Sequence, residues 1–370
     1  MESSPSPIVM SRNHPPMVSQ VFDREYLSAQ DRVLSETPPS AIIGAHRWMG
    51  TERDRIGGAR FTGRRLGQEP DPGRVVVTNG TQSGLLMLFA GLVGRGGVLV
   101  TEDLTYPPLH TFARHFGFRI VGAPIDEQGL IPDGLREIAE REKPQALYTV
   151  ATFQNPTTAI MSLERRRDIA NIARTFNMSI IEDDIYSLML PDAPPPLSAL
   201  APERSWYVLG TAKSIAAGMK VAYVVAPTPE AAEQRFWPGV RGTHWMSAPI
   251  GAAVMTAMIE TSGDVRIIDA VADEVRGRQS LARDMFSDIA FTSKPEALHV
   301  WFPLPEGMAR TELAARAREN GLVIGTSDEF ATEGTPIPEA VRMGIGNPKT
   351  REVLTDALSR FVAAYEEARP

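Results

Sequence analysis

Short runs of β-branched and apolar residues alternate along most of this chain with longer stretches of helical character, and this alternation limits the possible folds more than any other feature. The strand-like runs from about residue 74 read RVVVTNG, GGVLVTED, FRIVGAPI, QALYTVATF, MSIIEDD, SWYVLG and KVAYVVAP. Strands that alternate with helices predict a mainly parallel sheet covered on both faces. The 370 residues are enough for one large or two medium domains.

The clearest single helix follows Ser162, a favourable N-cap residue. Apolar residues then repeat at helical spacing: Ile169, Ile172, Ala173 and Phe176. The apolar run 84–94 predicts a buried helix that is too short to span a bilayer. In the C-terminal third, a long helical region at about 246–288 and helices at 310–320 and 349–368 predict a smaller α+β lobe, completed by the N-terminal segment.

Composition excludes several classes of function. The formal net charge is −7, which argues against a nucleic-acid partner, and the short basic cluster RFTGRR at 60–65 predicts a solvated helix face. The sequence has no cysteine, so disulfides, thiolate metal sites and cysteine nucleophiles are excluded, and the cytoplasm is the expected location. The six histidines are scattered, which argues against metal catalysis. The N-terminus lacks the basic-then-apolar pattern of a signal peptide.

Residues suited to ligand binding follow the predicted strands, and in open parallel sheets ligands bind beyond the carboxyl ends of the strands. GTQSG at 80–84 opens a helix whose N–H groups could bind phosphate, although Gly-Thr there is also an ordinary turn. Asn155 in QNPTT is equally a turn former. EDDIY at 182–186 ends an apolar strand with three acids, and a buried carboxylate there requires a cationic partner. Lys213, in the small-residue loop GTAKSIAAGMK, is either a solvated charge or an amine that a planar ligand can approach.

In this order and spacing, VTNGTQSGL, TEDLTYP, QNPTT, IIEDDIY and the lysine loop resemble fold-type I pyridoxal-phosphate enzymes of the aspartate aminotransferase superfamily. SRNHPP at 11–16, SLERRRDIANIA, LHVWFPLP and VRMGIG extend the resemblance over nearly the whole chain. They are most similar to the aminotransferase domain of MocR-type (GntR-family) regulators and to 2-aminoadipate and kynurenine aminotransferases. The resemblance implies an α/β fold with a mainly parallel seven-stranded sheet in a large domain (45–245), a smaller α+β domain (1–44 and 246–370), and a homodimer.

The resemblance assigns the chemistry to four residues. Lys213 would carry pyridoxal 5′-phosphate as a Schiff base and then act as general acid and base at the substrate α-carbon. Asp183 would pair with the protonated pyridine nitrogen. Asn155 and Tyr186 would donate hydrogen bonds to the ring oxygen, and Asn155 would also contact the substrate.

The resemblance assigns binding to five more residues. Thr81, Gln82 and Lys220 would hold the phosphate group. Tyr106 would stack on the ring of the cofactor, with a core tyrosine as the alternative. Arg342 would bind the substrate α-carboxylate with both of its terminal nitrogens.

The sequence departs from the family around the phosphate. Gly210 and Ala212 replace two serines, and Lys220 replaces an arginine that would offer a planar fork of donors. AHRW at 45–48 has no tyrosine where the neighbouring subunit usually lends one. NPTG is changed to NPTT, and two glycines before the C-terminal strand are changed to Glu-Ala at 296–297. These changes predict weaker cofactor binding, or loss of the cofactor as pyridoxamine phosphate.

Three functions remain open. The first is an aminotransferase that exchanges an amino group between an amino acid and a 2-oxo acid by a ping-pong mechanism. The second is a cofactor-sensing effector domain of a MocR-type regulator without its winged-helix domain, and the third is a lyase, decarboxylase or racemase on the same fold. The sequence does not identify the side chain of the substrate. A dicarboxylate substrate would need a second basic residue, and Arg47, Arg53 and Arg241 are equally available for that role.

Overall fold

A computed structural model describes residues 7–369, and its central feature is a seven-stranded sheet. Its strands are β1 (Val75–Thr78), β2 (Val98–Glu102), β3 (Arg119–Ala123), β4 (Ala146–Thr149), β5 (Ser179–Asp183), β6 (Ser205–Gly210) and β7 (Ala222–Val225). They lie in the order β1-β7-β6-β5-β4-β2-β3. All neighbours are parallel except that β7 is antiparallel to both β1 and β6. The predicted α/β fold with a mainly parallel sheet is confirmed.

Helices cover both faces of this sheet and form much of the rest of the chain. The α-helices are Ser19–Glu36, Pro39–Ile43, Glu52–Leu66, Gly80–Leu88, Pro108–Phe116, Pro132–Glu142, Leu163–Thr175, Leu197–Leu200, Pro229–Ala231, Trp237–Thr243, Pro249–Glu260, Gly263–Met285, Arg310–Glu319 and Arg351–Glu367. The helix predicted after Ser162 is confirmed, since its hydroxyl accepts a hydrogen bond from the backbone N–H of Arg165 at 3.3 Å. No helix among residues 7–369 has the length and apolar character needed to cross a membrane.

The long helical region predicted at about 246–288 is helical over most of its length, in two helices. It is divided into Pro249–Glu260 and Gly263–Met285, because Ser262 adopts a left-handed backbone conformation with φ of 57°. The buried helix predicted at 84–94 is also two pieces. The α-helix Gly80–Leu88 is followed by a π-helical turn, Phe89–Val93.

A second, smaller sheet lies in the C-terminal third. Its strands His299–Pro303, Ala340–Gly344 and Gly325–Thr326 are antiparallel. The N-terminal strand Ile8–Val9 pairs in parallel with Leu322–Val323, so the two ends of the chain share this lobe. The division into 45–245 and 1–44 plus 246–370 stays a prediction, and residues 1–6 and 370 of the second part lie outside the described residues.

The segment 10–16, here called the N-terminal strap, then crosses toward the carboxyl ends of the large sheet. The backbone N–H of Gly344 donates to the carbonyl of Met10 at 2.6 Å. A Cβ atom on Gly344 would lie 2.0 Å from the carbonyl oxygen of Arg12, and one on Gly346 would lie 2.1 Å from that of His14. Glycine at both positions therefore lets the strap backbone lie directly on the small lobe.

Candidate active site

A cavity of about 210 Å³ lies at the carboxyl ends of the large sheet. It is lined by His14, Thr81, Gln82, Tyr106, Tyr148, Val150, Asn155, Asp183, Ile185, Tyr186, Ala212, Lys213, Ala217 and Lys220. Eight of the nine predicted site residues are in this set. The ninth, Arg342, lies beside it and donates to Oδ1 of Asn155 at 2.6 Å.

Lys213 lies in the loop between β6 and β7. The loop is held by the hydroxyl of Thr211, which donates to the carbonyls of Met219 and Val221. The ammonium of Lys213 donates to the backbone carbonyl of Asn13 in the strap. Burial lowers the pKa of Lys213 to about 8, and the positive charge of Arg342 acts in the same direction. Lys213 therefore has a much larger neutral fraction near neutral pH than a solvated lysine has, and it is not a solvated loop charge.

Asp183 ends β5 and faces this lysine across the cavity. Its Oδ2 accepts a hydrogen bond from the hydroxyl of Tyr148 at 3.0 Å, and its buried Oδ1 has no partner among the described residues. Burial raises the pKa of Asp183 to about 7, against the opposing effect of the Tyr148 hydrogen bond. An unpaired buried carboxylate oxygen in a cavity is suited to a ligand that brings an N–H donor.

The two neighbouring acids point away from the cavity. Glu182 accepts hydrogen bonds from the backbone N–H groups of Leu197 and Ser198, at 2.9 and 2.7 Å. Asp184 accepts one from Tyr207 at 2.9 Å and one from the guanidinium of Arg65 at 3.2 Å. This alternation follows the period of a strand.

Arg65 corrects one sequence prediction. The basic cluster at 60–65 is predicted to be a solvated helix face, but Arg65 is buried and supplies the cationic partner of Asp184. Its guanidinium also donates to the carbonyls of Ala193 and Pro194. Arg60 and Arg64 of the same cluster are exposed as predicted, so the correction applies to Arg65 alone.

The helix Gly80–Leu88 follows β1 and points its N-terminus toward the cavity. The side chain of Gln82 donates to the hydroxyl of Tyr106 at 2.8 Å. Lys220 is exposed and lines the same end of the cavity. A Cβ atom on Gly210 would lie 2.5 Å from the Cγ2 methyl of Thr81. The glycine that replaces a serine is therefore matched to Thr81, whose methyl group occupies the space a larger residue would need.

Arg342 lies on the strand Ala340–Gly344 and reaches the cavity from the small lobe. It is buried, donates to Asn155 and to the backbone carbonyl of Ser11, and lies 4.7 Å from the ring centre of Phe330. Its Nε has no partner among the described residues. Burial lowers the pKa of Arg342 from its usual value, because the charged form loses hydration. An anion that pairs with the guanidinium here would replace part of that lost hydration.

Four residues of the site were not found from the sequence. Tyr148, Asn13, His14 and His299 lie in or beside the cavity. Tyr148 is in β4, where a tyrosine is indistinguishable from a core residue. The strap motif SRNHPP was recognised as part of the resemblance, but the roles of its side chains depend on contacts with residues 173 and 286 positions away.

These residues fit an aromatic ligand with an anionic end. The cavity provides a partly neutral amine, an unpaired carboxylate for an N–H donor, hydroxyl and amide donors, and a helix N-terminus with a nearby lysine for an anion. This donor set matches the aldehyde, pyridine nitrogen, ring oxygen and phosphate of pyridoxal phosphate. Within residues 7–369, no group of three or more His, Asp or Glu side chains is placed to hold a metal ion.

Comparisons with known proteins agree with the fold and the motifs. A profile of the family described as aminotransferase class I and II matches residues 58–360. The chain is 26% identical to the uncharacterized HTH-type transcriptional regulator YdeF of Bacillus subtilis, over 80% of this chain and 63% of that protein. It is also 26% identical to the 2-aminoadipate transaminase of Thermus thermophilus, over 71% of this chain and 68% of that enzyme. The chain thus spans less than two thirds of the length of the regulator it matches.

Among solved structures, the chain superimposes on LysN, an α-aminoadipate aminotransferase from Thermus thermophilus complexed with N-(5′-phosphopyridoxyl)-L-leucine. The TM-score is 0.85 at 21% identity, over 99% of this chain and 95% of that chain. This likeness extends over both the large sheet and the small lobe.

Proposed function

The chain belongs to the class I and II aminotransferases, and from this we propose that it binds pyridoxal 5′-phosphate and transfers an amino group between an amino acid and a 2-oxo acid. One observation carries the proposal. The amine of Lys213, whose pKa is lowered to about 8, and the unpaired carboxylate oxygen of Asp183 lie in one cavity.

The cofactor, when bound, supplies an electron sink for the substrate α-carbon. Lys213 would hold the aldehyde carbon through its side-chain nitrogen, and when that nitrogen is free it would carry a proton to or from the substrate α-carbon. Asp183 would accept a hydrogen bond from the pyridine N–H and keep that nitrogen protonated, because a buried carboxylate favours a positive partner. Tyr186 and Asn155 donate to the ring oxygen.

The remaining site residues bind and orient the cofactor and the substrate. Thr81 and Gln82, with the N-terminal N–H groups of their helix, hold the phosphate, and Lys220 adds a charge. Tyr106 would stack on the cofactor ring, and its hydroxyl accepts a hydrogen bond from Gln82. Arg342 would bind the α-carboxylate of the substrate. The guanidinium of Arg342 already donates a hydrogen bond to Asn155.

The proposal includes a homodimer and a cytoplasmic location. Exposed apolar side chains support the first, since Leu27, Leu34 and Ile43 cluster in the two N-terminal helices. A sequence without cysteine supports the second, because it suits a reducing compartment.

The test is spectroscopic and then chemical. Purified protein incubated with pyridoxal phosphate should gain a visible absorption band, and borohydride should fix the cofactor on the peptide that contains Lys213. Lys213→Ala should abolish this fixation. Each of a panel of amino acids, mixed with 2-oxoglutarate, is then assayed for its 2-oxo acid. A protein that gains no visible band and carries no cofactor after reduction would contradict the proposal.

A second candidate is a regulatory effector module that senses the cofactor or an amino acid. The match to YdeF over 80% of this chain favours it. Measuring turnover distinguishes the two candidates. An effector module would show the visible absorption band of the cofactor and a single colour change with an amino acid, but no sustained transfer of the amino group to any 2-oxo acid. Release of carbon dioxide or loss of optical purity would instead indicate a lyase or racemase.

A further inference from the structure

The side-chain amide of Asn13 lies between two aromatic side chains beside the cavity. Its nitrogen Nδ2 is 3.1 Å from the hydroxyl oxygen of Tyr186 and 2.9 Å from Nδ1 of His299. All three side chains are buried, and His299 is fully so. The backbone carbonyl of Asn13 also accepts the hydrogen bond of Lys213. One strap residue therefore contacts both the amine and the phenol that face the cavity.

The direction of these hydrogen bonds follows from the chemistry of the groups. An amide nitrogen only donates, so Nδ1 of His299 is the unprotonated, accepting nitrogen of its ring. Burial holds the pKa of His299 well below its usual value, and the charge of Arg342 acts in the same direction. The ring is thus neutral, and Nδ1 keeps its lone pair for the amide of Asn13.

The same reasoning determines the direction in which the hydroxyl group of Tyr186 donates its hydrogen. The second amide hydrogen of Asn13 occupies a lone pair of the phenol oxygen, so the hydroxyl hydrogen is left for another acceptor. Tyr186 lines the cavity together with Asn155, Asp183 and Lys213. Its free hydrogen is therefore available to an oxygen atom of a ligand in the cavity.

We propose that Asn13 and His299 are positioning residues: His299 orients the amide of Asn13, and this amide makes Tyr186 a hydrogen-bond donor toward the ring oxygen of the cofactor. The inference rests on the proposed function, because it places the ring oxygen of pyridoxal phosphate at Tyr186. Asn13 does not line the cavity and acts through the tyrosine. The N-terminal strap thereby covers the site and also determines which hydrogen bond the ring oxygen of the cofactor receives.

The test follows the colour of the bound cofactor as a function of pH. A hydrogen bond donated to the ring oxygen stabilises its anionic form, so its loss raises the midpoint of the colour change. Tyr186→Phe should raise this midpoint by about 1 pH unit, and Asn13→Leu should raise it by about half a unit. In the Tyr186→Phe background, Asn13→Leu should add nothing, because the amide has lost the group through which it acts.

His299 provides an independent pair of variants. In His299→Asn the new amide oxygen takes the place of Nδ1 and can still accept from Asn13, so the midpoint should stay near that of the wild type. His299→Leu should match Asn13→Leu. This pair keeps the test decisive if a variant at position 13 fails to fold, and melting temperatures identify such a failure.

Asn347→Leu is the matched control for loosening of the strap. Asn347 donates to the backbone carbonyl of Val9, which directly precedes the strap, at 2.6 Å, and its side chain also contacts His14 of the strap. It has no hydrogen bond to Asn13, Tyr186 or His299. It should lower the melting temperature without moving the pH midpoint. If Asn347→Leu moves the midpoint as far as Asn13→Leu does, strap position alone explains the effect and the inference is overturned.

Asn13→Asp tests the direction of the bond. A carboxylate accepts where the amide donates, so the hydroxyl of Tyr186 would turn toward residue 13 and the midpoint should rise. A wild-type midpoint in Asn13→Asp, or in Asn13→Leu, would overturn the positioning role while leaving cofactor binding intact. A wild-type protein that never binds pyridoxal phosphate would instead refute the proposed function.

Discussion

Three consecutive acids, Glu182, Asp183 and Asp184, show that surroundings rather than residue type decide what a carboxylate can do. Glu182 is held by two backbone N–H groups, and Asp184 by a guanidinium and a phenol. Asp183 is the one of the three that lines the cavity, and its buried Oδ1 has no partner among the described residues. The middle acid is thus the one kept available for a ligand.

This difference predicts opposite effects of neutralising adjacent acids in the apo protein. The pKa of Asp183 is raised to about 7 in the fold from 3.8, so its contribution to stability is present at low pH and is lost as pH rises through 7. Asp183→Asn cannot ionise, so at pH 8 it should raise the free energy of unfolding by roughly 2–4 kcal/mol. Burial raises the pKa of Glu182 as well, but Glu182→Gln should lower the free energy of unfolding, because an amide has only one oxygen for the backbone N–H groups of Leu197 and Ser198.

Urea unfolding of both apo variants at pH 4 and pH 8 measures this difference. At pH 4 the Asp183→Asn variant and the wild type should be close. Despite its greater stability, Asp183→Asn should bind pyridoxal phosphate more weakly and lose most turnover. Equal destabilisation by the two substitutions at pH 8 would show that Asp183 has a partner in the apo protein.

A second prediction concerns the amine of Lys213. Its pKa of about 8 arises mainly from burial, with a contribution from Arg342. Since only the neutral amine attacks an aldehyde, the rate at which apo protein captures pyridoxal phosphate should rise about tenfold per pH unit below 8 and level off above it. Arg342→Gln should move the midpoint upward, because a nearby positive charge is removed. The surface variant Arg114→Gln serves as control, and a midpoint near 10.5 in the wild type would contradict the burial argument.

Lys220 carries the third prediction. An arginine offers a planar fork of donors where a lysine offers a point charge, so Lys220→Arg should tighten the binding of pyridoxal phosphate about tenfold if the fork fits. Lys220→Ala should weaken binding by more than tenfold, because the anion loses a charge-assisted contact. Titration of the apo variants with the cofactor measures both. Wild-type affinity in Lys220→Ala would mean that the phosphate group lies elsewhere.

At the scale of elements, local signals predicted the strands and the clearest helix well. Runs of β-branched residues marked all seven strands of the sheet, and Ser162 marked a helix start. The division of the 246–288 region was missed because a left-handed residue, Ser262, has no strong sequence signal. The N-terminal segment was predicted to complete the small lobe, but the contacts of the strap with the cavity residues were beyond local reasoning, since these partners lie more than 150 residues away.

The two glycines beneath the strap give an element-scale prediction. A methyl group on Gly346 would lie 2.1 Å from the carbonyl oxygen of His14, and no side-chain rotation can relieve a contact with backbone. Gly346→Ala should therefore displace the strap, lower the melting temperature and weaken cofactor binding by about tenfold or more. Gly242→Ala is the matched control, because nothing lies within 4 Å of a Cβ atom there. Unchanged affinity in Gly346→Ala would separate the strap from the cofactor site.

At the scale of the whole molecule, the site is assembled from parts that meet only in the folded chain. Asn13, Asp183 and Arg342 come from the strap, the large sheet and the small lobe. Sequence reasoning found the residues that follow strands, because the carboxyl ends of parallel strands share one edge. It missed Tyr148 and His299, because a buried tyrosine or histidine on a strand looks the same whether it packs or functions.

The surface of the molecule gives the last prediction. Seven large apolar side chains among residues 7–369 are exposed, and four of them lie in the N-terminal segment 17–43. Leu27 and Leu34 are seven residues apart on the helix Ser19–Glu36 and so share its outer face, and Ile43 follows in the next helix. Trp245 lies beside Met246, whose sulfur accepts a hydrogen bond from the backbone N–H of Arg47.

Such a concentration of exposed apolar groups favours burial against a second copy of the chain, so the native state should be a homodimer. Sedimentation velocity should give about twice the chain mass of 40.4 kDa. Leu34→Asp combined with Ile43→Asp should shift the population toward monomer, because burying two carboxylates without cationic partners is strongly unfavourable. Ile337→Asp combined with Val353→Asp changes equally exposed residues elsewhere and should leave the dimer intact. A wild-type protein that sediments as a monomer while transferring amino groups would rule out a dimer through this face as a requirement for activity.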